Sequence, residues 1–362
     1  MDRVYKWFDD DKNCNNDELP TVQHFNFTTV HTDNRLKIWP PTYTPSWNYL
    51  VEHQINHWYA NEHKPMDDLN GFDKIDSAWQ NALLQSFAVL AIGDDKVMDL
   101  ISNSDIEWEE STKWMFADQA ARETTHKIVY NRMLELACVS RSYTVNTLTS
   151  GDFSHYLMDC RVLDEFQLPE RNEVNDKVLF LSTMILCERY LFAAPFLIIN
   201  LMGESGFINK CVKINMQVMK DEHVHYKHAV QLLMDLKRGV TNEVEINELF
   251  RGLSGAFMVL VESMVMKICI DLTDQQKTSV LHHTRFTLRD IFVTLQIEPP
   301  PAVVQYTITP FKVFDKNCGE DKFNLMESTS TVYNASNSIY YPAWDVLDEE
   351  MRQEMIEETK RK

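Results

Sequence analysis

Two Glu-x-x-His motifs, Glu123-Thr124-Thr125-His126 and Glu222-His223-Val224-His225, hold the side chains of this chain best suited to chemistry. On a helix, positions i and i+3 share a face, so each motif can present a carboxylate and an imidazole to one point. A hard oxygen donor beside a borderline nitrogen donor suits iron or manganese. With 54 acidic residues and 12 His in the chain, about one such match arises by chance. Two, each in a long apolar-patterned segment, carry more weight. Two further carboxylates lie in strongly apolar sequence. Asp94 follows Phe87-Ala88-Val89-Leu90-Ala91-Ile92-Gly93, and Glu188 lies in Ile185-Leu186-Cys187-Glu188-Arg189-Tyr190-Leu191-Phe192. Burying an unpartnered carboxylate costs on the order of several kcal/mol, and a metal ion would supply the partner. Tyr130 falls four residues after His126, one helical turn along, so its phenol would sit beside the metals. Glu188, Phe192 and Phe196 fall at i, i+4 and i+8, an aromatic wall that would keep water from such a phenol, as a long-lived radical requires. Taken alone, Tyr130 reads more commonly as an ordinary core tyrosine.

Helices must position these residues. Apolar spacing predicts them at roughly 46–63, 74–103, 108–142, 174–203, 205–237, 243–271 and 276–296, with a shorter piece near 151–166. The 174–203 segment is apolar around most of its circumference, which places it at the centre of a bundle. Residues 1 to about 45 are polar and rich in Asn and Asp, and end in Trp39-Pro40-Pro41-Thr42-Tyr43-Thr44-Pro45, where proline blocks helix. After Pro299-Pro300-Pro301 the chain reads as loop or short strand to about 343, and then as a charged tail. The domain reading is an irregular N-terminal segment 1–45, a helical domain 46–298 and a C-terminal extension 299–362. Two Glu-x-x-His helices with one carboxylate from each of two others is the arrangement of ferritin-like di-iron proteins. The expected fold is therefore all-α: a ferritin-like helical bundle with additional helices and irregular N- and C-terminal tails.

The bulk numbers exclude several classes. With 9 Gly among 362 residues, and no Gly-rich phosphate-loop pattern, nucleotide cradles and turn-dense β folds are disfavoured. A net charge of −19 would repel nucleic acid, so no nucleic-acid partner is expected. The seven Cys, at 14, 138, 160, 187, 211, 269 and 318, form no C-x-x-C pair. The polar start, with Asp9, Asp10 and Asp11, does not read as a signal peptide. A reducing, cytoplasmic or nuclear compartment with free, mostly buried thiols is expected. The longest apolar run, 192–202, is too short to span a membrane. The 17 Met read as core fillers.

The residues resemble the small, radical-generating subunit of class I ribonucleotide reductase, nearest to the eukaryotic and large-DNA-virus type. The likeness runs from about residue 35 to 333. Arg35-Leu36-Lys37-Ile38-Trp39-Pro40, followed by Tyr43 and Trp47, resembles the family's opening segment. Lys220-Asp221-Glu222-His223-Val224-His225 resembles its Arg-Asp-Glu-x-x-His signature. Glu123 to Tyr130 resembles Glu-x-x-His-x-x-x-Tyr, ligands and radical tyrosine together. The resemblance implies that Asp94, Glu123 and His126 bind one iron, and Glu188, Glu222 and His225 the other. Asp94 is favoured over Asp95 because its separation from Trp58 (94 − 58 = 36) matches the family spacing. Tyr130 would carry the radical in a pocket of Phe192, Phe196 and Val218. Trp58, matching the family's near-surface tryptophan, would form a hydrogen-bonded route with Asp221 and His126. Tyr333 would relay the radical from the tail.

The implied cofactor is an oxo-bridged pair of iron ions, activated by O2, with manganese as the alternative metal. The implied function is to pass a tyrosyl radical to a large subunit that reduces ribonucleotides to deoxyribonucleotides for DNA replication, as a thioredoxin- or glutaredoxin-linked holoenzyme. The implied partners are a second copy of the chain and the large subunit, docked through the C-terminal tail, in the cytoplasm (the host's, for a viral chain). Some positions depart from the family. Arg189 stands where Gly is usual, and must point away from the metals. Lys220 stands where Arg is usual and loses a bidentate donor. Pro195 interrupts the Glu188 helix, where a kink is expected. The basic ending Lys360-Arg361-Lys362 replaces an aromatic-acidic one. His223 and His228 read as surface residues or as supports around the ligands. Two other readings share the fold. One is an R2-like oxidase with a mixed manganese–iron site, against which Tyr130 and Trp58 count. The other is a radical-deficient regulatory homologue, against which the complete ligand set counts.

Overall fold

Helix α1 (Thr44–Ile55) opens on Pro45, whose missing N–H costs nothing in a first turn. The structure, a computed structural model, describes residues 43–137, 173–239 and 243–311. The expected short helix at 151–166, the 35–40 segment, Tyr333 and the C-terminal tail lie outside the described residues. After α1, two 3-10 turns (Ala60–Glu62 and Pro65–Asp68) and the short α2 (Leu69–Phe72) lead to α3 (Ser77–Ser102). Asp76 caps α3 by accepting the Ala78 N–H at 3.0 Å. Glu109 likewise accepts the Ser111 N–H at 2.9 Å and starts α4 (Glu110–Leu134). Then come α5 (Glu173–Ile185), a π turn (Leu186–Leu191), α6 (Ala193–Leu201), α7 (Asn209–Gly239), α8 (Glu243–Ile268) and α9 (Asp274–Thr294). A Thr273–Gln276 capping box starts α9. Among the described residues there is no strand.

Two expected helices end differently. The first, expected to reach residue 63, stops at Ile55 with Asn56 as its C-cap, and Trp58 falls in the segment beyond. The stretch expected as one helix from 174 to 203 is three pieces. Pro195 has no N–H to pair with the Leu191 carbonyl one turn back, so it sits in the first turn of α6, where none is needed. The π turn before it widens the helix and carries Glu188.

Nearly every side chain from Val178 to Ile199 is buried, so α5 and α6 form the centre. Around them, α3 lies along α4, α6 packs on α3, α7 and α9, and α5 packs on α7 and α8. Helix α1 crosses α4 and α7. Two stretches, Glu173–Leu201 and Glu243–Ile268, are long and apolar enough by composition to cross a membrane. The first therefore exceeds the short apolar run expected above. Its most apolar window is 83% buried among neighbouring helices, which is how a core helix reads. The second buries Ile246, Phe250, Leu253, Phe257, Val261, Met264 and Ile268, a single stripe at helical spacing. Cys187, Cys211 and Cys269 are buried.

His283 of α9 ties the end of the described chain to the bundle, its Nδ1 lying 2.9 Å from Thr309 Oγ1. Burial pushes this imidazole down to about 3; an unfolded chain titrates it near 6.5. Between those values the unfolded chain binds a proton that the folded chain does not. The stability held by neutral His283 is thus full above about pH 6.5 and declines as pH falls toward 3. Going from about pH 7 to about pH 5 should cost on the order of 2 kcal/mol through this one group. His283→Asn keeps a polar partner for Thr309 and does not titrate, so its thermal midpoint should fall less over that interval than the wild type's. Equal falls would remove His283 from the acid response.

Candidate metal centre

Four helical segments converge on one buried cluster. Helix α3 contributes Asp94, α4 contributes Glu123 and His126, the π turn contributes Glu188, and α7 contributes Glu222 and His225. All six side chains are buried. Ligand atoms of Asp94, Glu123, His126 and Glu222 lie within 4.8 Å of one another, as do those of Glu123, Glu188, Glu222 and His225. Both quartets contain Glu123 and Glu222. Each triad implied by the resemblance falls within one quartet, and Glu123 and Glu222 lie close enough to both groups to be shared between two metal ions. Asp95, the neighbouring alternative, faces away and pairs with Lys127 at 2.6 Å.

The imidazoles are oriented alike. His126 Nδ1 lies 3.0 Å from Glu123 Oε2 and 2.9 Å from Glu222 Oε1. His225 Nδ1 lies 2.9 Å from Glu222 Oε2 and 3.1 Å from Glu123 Oε1. Each ring thus shows Nδ1 to the carboxylates and Nε2 to the surrounding protein.

The donor set fits two divalent metal ions. Both oxygens of Asp94 and Oε2 of Glu188 are buried without a hydrogen-bond partner. Glu123 Oε1 and Glu222 Oε1 have imidazole nitrogens nearby but none aligned as a hydrogen bond. Orphaned buried carboxylate oxygens are costly. Two dications would balance four carboxylates in charge and occupy those lone pairs, with the O/N ligand set that iron and manganese take. Protonation tells the same story. Burial, reinforced by the Glu123 charge, pushes Asp94 well up, and burial does the same to Glu222. Burial alone would also raise Glu123, but the His225 charge and the His126 hydrogen bond outweigh it and hold Glu123 at about 2. Burial alone would lower His126; hydrogen bonds to Asp221 and Glu123 instead lift it to about 10. The cluster thus holds protons that arriving cations would displace.

Trp58 is completely buried, not near-surface as the resemblance implied, although Tyr59 beside it is exposed. Its ring stacks on His126, 5.9 Å between centroids with planes 18° apart. Its Nε1–H donates to Asp221 Oδ2 at 2.8 Å, and that oxygen lies 3.1 Å from His126 Nε2. Trp58, Asp221 and His126 are therefore one continuous hydrogen-bonded chain. Buried Arg122 braces it, donating to the carbonyls of Trp58 at 3.1 Å and His53 at 3.3 Å, with Nε 3.5 Å from Asp221.

Tyr130 is completely buried, and burial pushes its phenol well up, so it is a neutral phenol. Its hydroxyl donates to Asn215 Oδ1 at 3.0 Å, and Asn215 Nδ2 donates to Asn200 at 2.9 Å. Phe192, Phe196 and Val218 are buried in the same core. The two Phe rings meet at 5.7 Å and 64°. Gly93, next to Asp94, lets Phe192 lie against α3, since a Cβ there would fall 2.2 Å from the Phe192 ring.

Several other positions resolve. Arg189 turns outward: Nη2 lies 3.9 Å from Asp290 and the guanidinium sits over Tyr226. Half-buried Lys220 lies on α7 beside Asp221. His223 stacks on Tyr226. His228 is not a surface residue: it is buried, its Nε2 2.8 Å from Ser46 of α1, a helix–helix tie that its spacing alone did not reveal. Sequence reasoning passed over Gln119, which donates to Glu188, along with Asn215, Arg122, His53 and Asp118. Extending the ligand face by one or two turns would have found Gln119 (i−4 from Glu123) and Asn215 (i−7 from Glu222).

The family model described as ribonucleotide reductase, small chain, matches residues 35–256, more than half of the chain. The chain belongs to this family. It is 20% identical over 227 residues to the ribonucleoside-diphosphate reductase small chain of African swine fever virus (strain Badajoz 1971 Vero-adapted), covering 61% of this chain and 66% of that one. The chain thus spans just under two thirds of that relative's length. The small chain from isolate Tick/South Africa/Pretoriuskop Pr4/1996 is 19% identical, with coverages of 61% and 68%. Among solved structures, the ribonucleotide reductase R2 subunit from Clostridium botulinum superposes with a TM-score of 0.64 at 14% identity, covering 76% of this chain and 88% of that one. The dimanganese(II)-NrdF of Streptococcus sanguinis gives 0.57 at 12% identity, with coverages of 73% and 92%. At those identities the structural likeness speaks for the fold: the small-chain family member described here is a ferritin-like helical bundle.

Proposed function

We propose that this small-chain family member is the radical-generating subunit of a ribonucleoside-diphosphate reductase, holding two iron ions and a tyrosyl radical at Tyr130. The observation that carries the reading is the pair of buried carboxylate–imidazole quartets sharing Glu123 and Glu222, with Tyr130 one turn beyond His126. Asp94, Glu123, Glu188, Glu222, His126 and His225 would hold the metals. When bound, the metal pair supplies with O2 the oxidising power to take one electron and one proton from a buried phenol. Manganese is the alternative metal, and a structure of the same fold is described as dimanganese(II).

The chain's own residues do the rest. Tyr130 is completely buried in the same apolar core as Phe192, Phe196 and Val218, which would keep water from a radical there. Asn215 fixes the direction of the phenol O–H. Trp58, Asp221 and His126 link the cluster toward the exposed Tyr59, with Asp221 able to take a proton from the indole N–H. The tail, with Tyr333, would carry the radical to a large subunit, and the working assembly would pair a homodimer with that partner in the cytoplasm.

Trp58→Phe, which keeps the stacking but loses the N–H, should lower deoxyribonucleotide formation with a large subunit by about 10²-fold while leaving the tyrosyl signal intact. Tyr333→Phe should do the same. Full activity in the Tyr333 variant would take the tail tyrosine out of the route. Loss of the radical in the Trp58 variant would make Trp58 part of the metal site instead.

A further inference from the structure

We propose that Asp118, acting through His53, positions the imidazole of His225, and so sets one of the two metal subsites independently of the other. This rests on the di-metal reading above. His225 turns Nδ1 toward the carboxylates and Nε2 the opposite way, 3.0 Å from Nε2 of His53. The rings meet edge-on, 4.8 Å between centroids with planes 66° apart. His53 itself is completely buried, and its other nitrogen, Nδ1, lies 2.7 Å from Asp118 Oδ2. The Asp118 side chain is 26% exposed, so this line of contacts runs from the cluster to the surface.

The proton count along the line has one consistent solution for a neutral His225. Two ring nitrogens at this distance share one hydrogen; two N–H groups or two lone pairs would repel. A carboxylate only accepts, so His53 Nδ1 carries hydrogen and donates to Asp118. A neutral His53 has then spent its one ring hydrogen on Asp118, and its bare Nε2 accepts from His225 Nε2–H. The His225 lone pair is then on Nδ1, the atom that faces Glu222 and Glu123. Tautomer and ring plane are thereby set from two residues away, as partners behind metal-binding histidines do.

His126 receives the same service directly, since its Nε2 meets Asp221 with no residue between. The two subsites are thus held by different devices: a carboxylate in direct contact at one, a histidine relay at the other. Helix α1 supplies the relay histidine by crossing α4 and α7, and Arg122 anchors the His53 carbonyl.

The test is anaerobic titration of the full-length, metal-free protein with Mn(II), followed by calorimetry and by electron paramagnetic resonance of the free ion. His53→Leu, His53→Gln and Asp118→Asn are compared with wild type. The wild type should bind in two steps. His53→Leu should weaken one step by about 10- to 100-fold and leave the other within about twofold. His53→Gln, whose amide oxygen can accept the His225 Nε2–H, should recover most of the loss. Asp118→Asn, at the surface end where misfolding is least expected, should weaken the same step by a smaller factor. Two unchanged steps in His53→Leu would overturn the relay. So would equal weakening of both steps with no rescue by Gln, the mark of a merely structural role. A wild type that takes up no Mn(II) and no Fe(II) would overturn the di-metal reading itself, and the relay with it.

Discussion

Glu123→Ala should abolish uptake of both metal ions, whereas Asp94→Ala should leave one. Glu123 belongs to both quartets, and Asp94 to one only. Removing a shared carboxylate takes a ligand from each ion and, in the same stroke, one of the two anions that face both imidazoles, since Glu123 lies 3.0 Å from His126 Nδ1 and 3.1 Å from His225 Nδ1. Removing Asp94 takes away two oxygens with no other partner, on the His126 side of the cluster. Metal per chain, read by elemental analysis after anaerobic loading, should fall from two to none in the first variant and from two to one in the second. Thermal midpoints give an independent reading. A ligand at a hundred-fold excess over its dissociation constant stabilises by about 2.7 kcal/mol. That gain should vanish in Glu123→Ala and persist in part in Asp94→Ala. Equal stoichiometry in the two variants would contradict the sharing of Glu123.

Tyr130→Phe should keep the full metal content and lose the radical altogether. The hydroxyl spends its hydrogen bond on Asn215 and not on a ligand, so its removal should leave the carboxylate–imidazole cluster as it is. A phenylalanine ring fills the same space but has no O–H to give up, so no radical can form there and turnover with a large subunit should disappear. The fold cost is the unpaired Asn215 Oδ1, about 1–3 kcal/mol. A variant that lost metal as well would show that Tyr130 supports the ligands rather than serving as the site of oxidation.

The parts of this site that were legible in the sequence are those set by spacing within one helix. Glu123 with His126, and Glu222 with His225, share faces because of helical geometry alone, and Asp94 and Glu188 stood out as carboxylates in apolar surroundings. The parts that were not legible depend on how helices cross. The sharing of Glu123 and Glu222 between quartets follows from α4 facing α7, and the His53–Asp118 pair exists only because α1 crosses both. Pro195 announced an irregularity, but its form, a π turn at Leu186–Leu191 that carries Glu188, depends on local hydrogen bonding that apolar periodicity does not report. Trp58 and His228 came out more deeply buried than expected. Aromatic and imidazole side chains occur at all depths, so their position follows from neighbours such as Asp221 and Ser46 rather than from their own type.

The most direct measurement is electron paramagnetic resonance on metal-free protein given Fe(II) and then O2. A tyrosyl signal in the wild type, absent from Tyr130→Phe at equal iron content, is the expected result. Uptake of two iron ions with no radical in the wild type would contradict the assignment of Tyr130 and leave a di-metal protein with other chemistry.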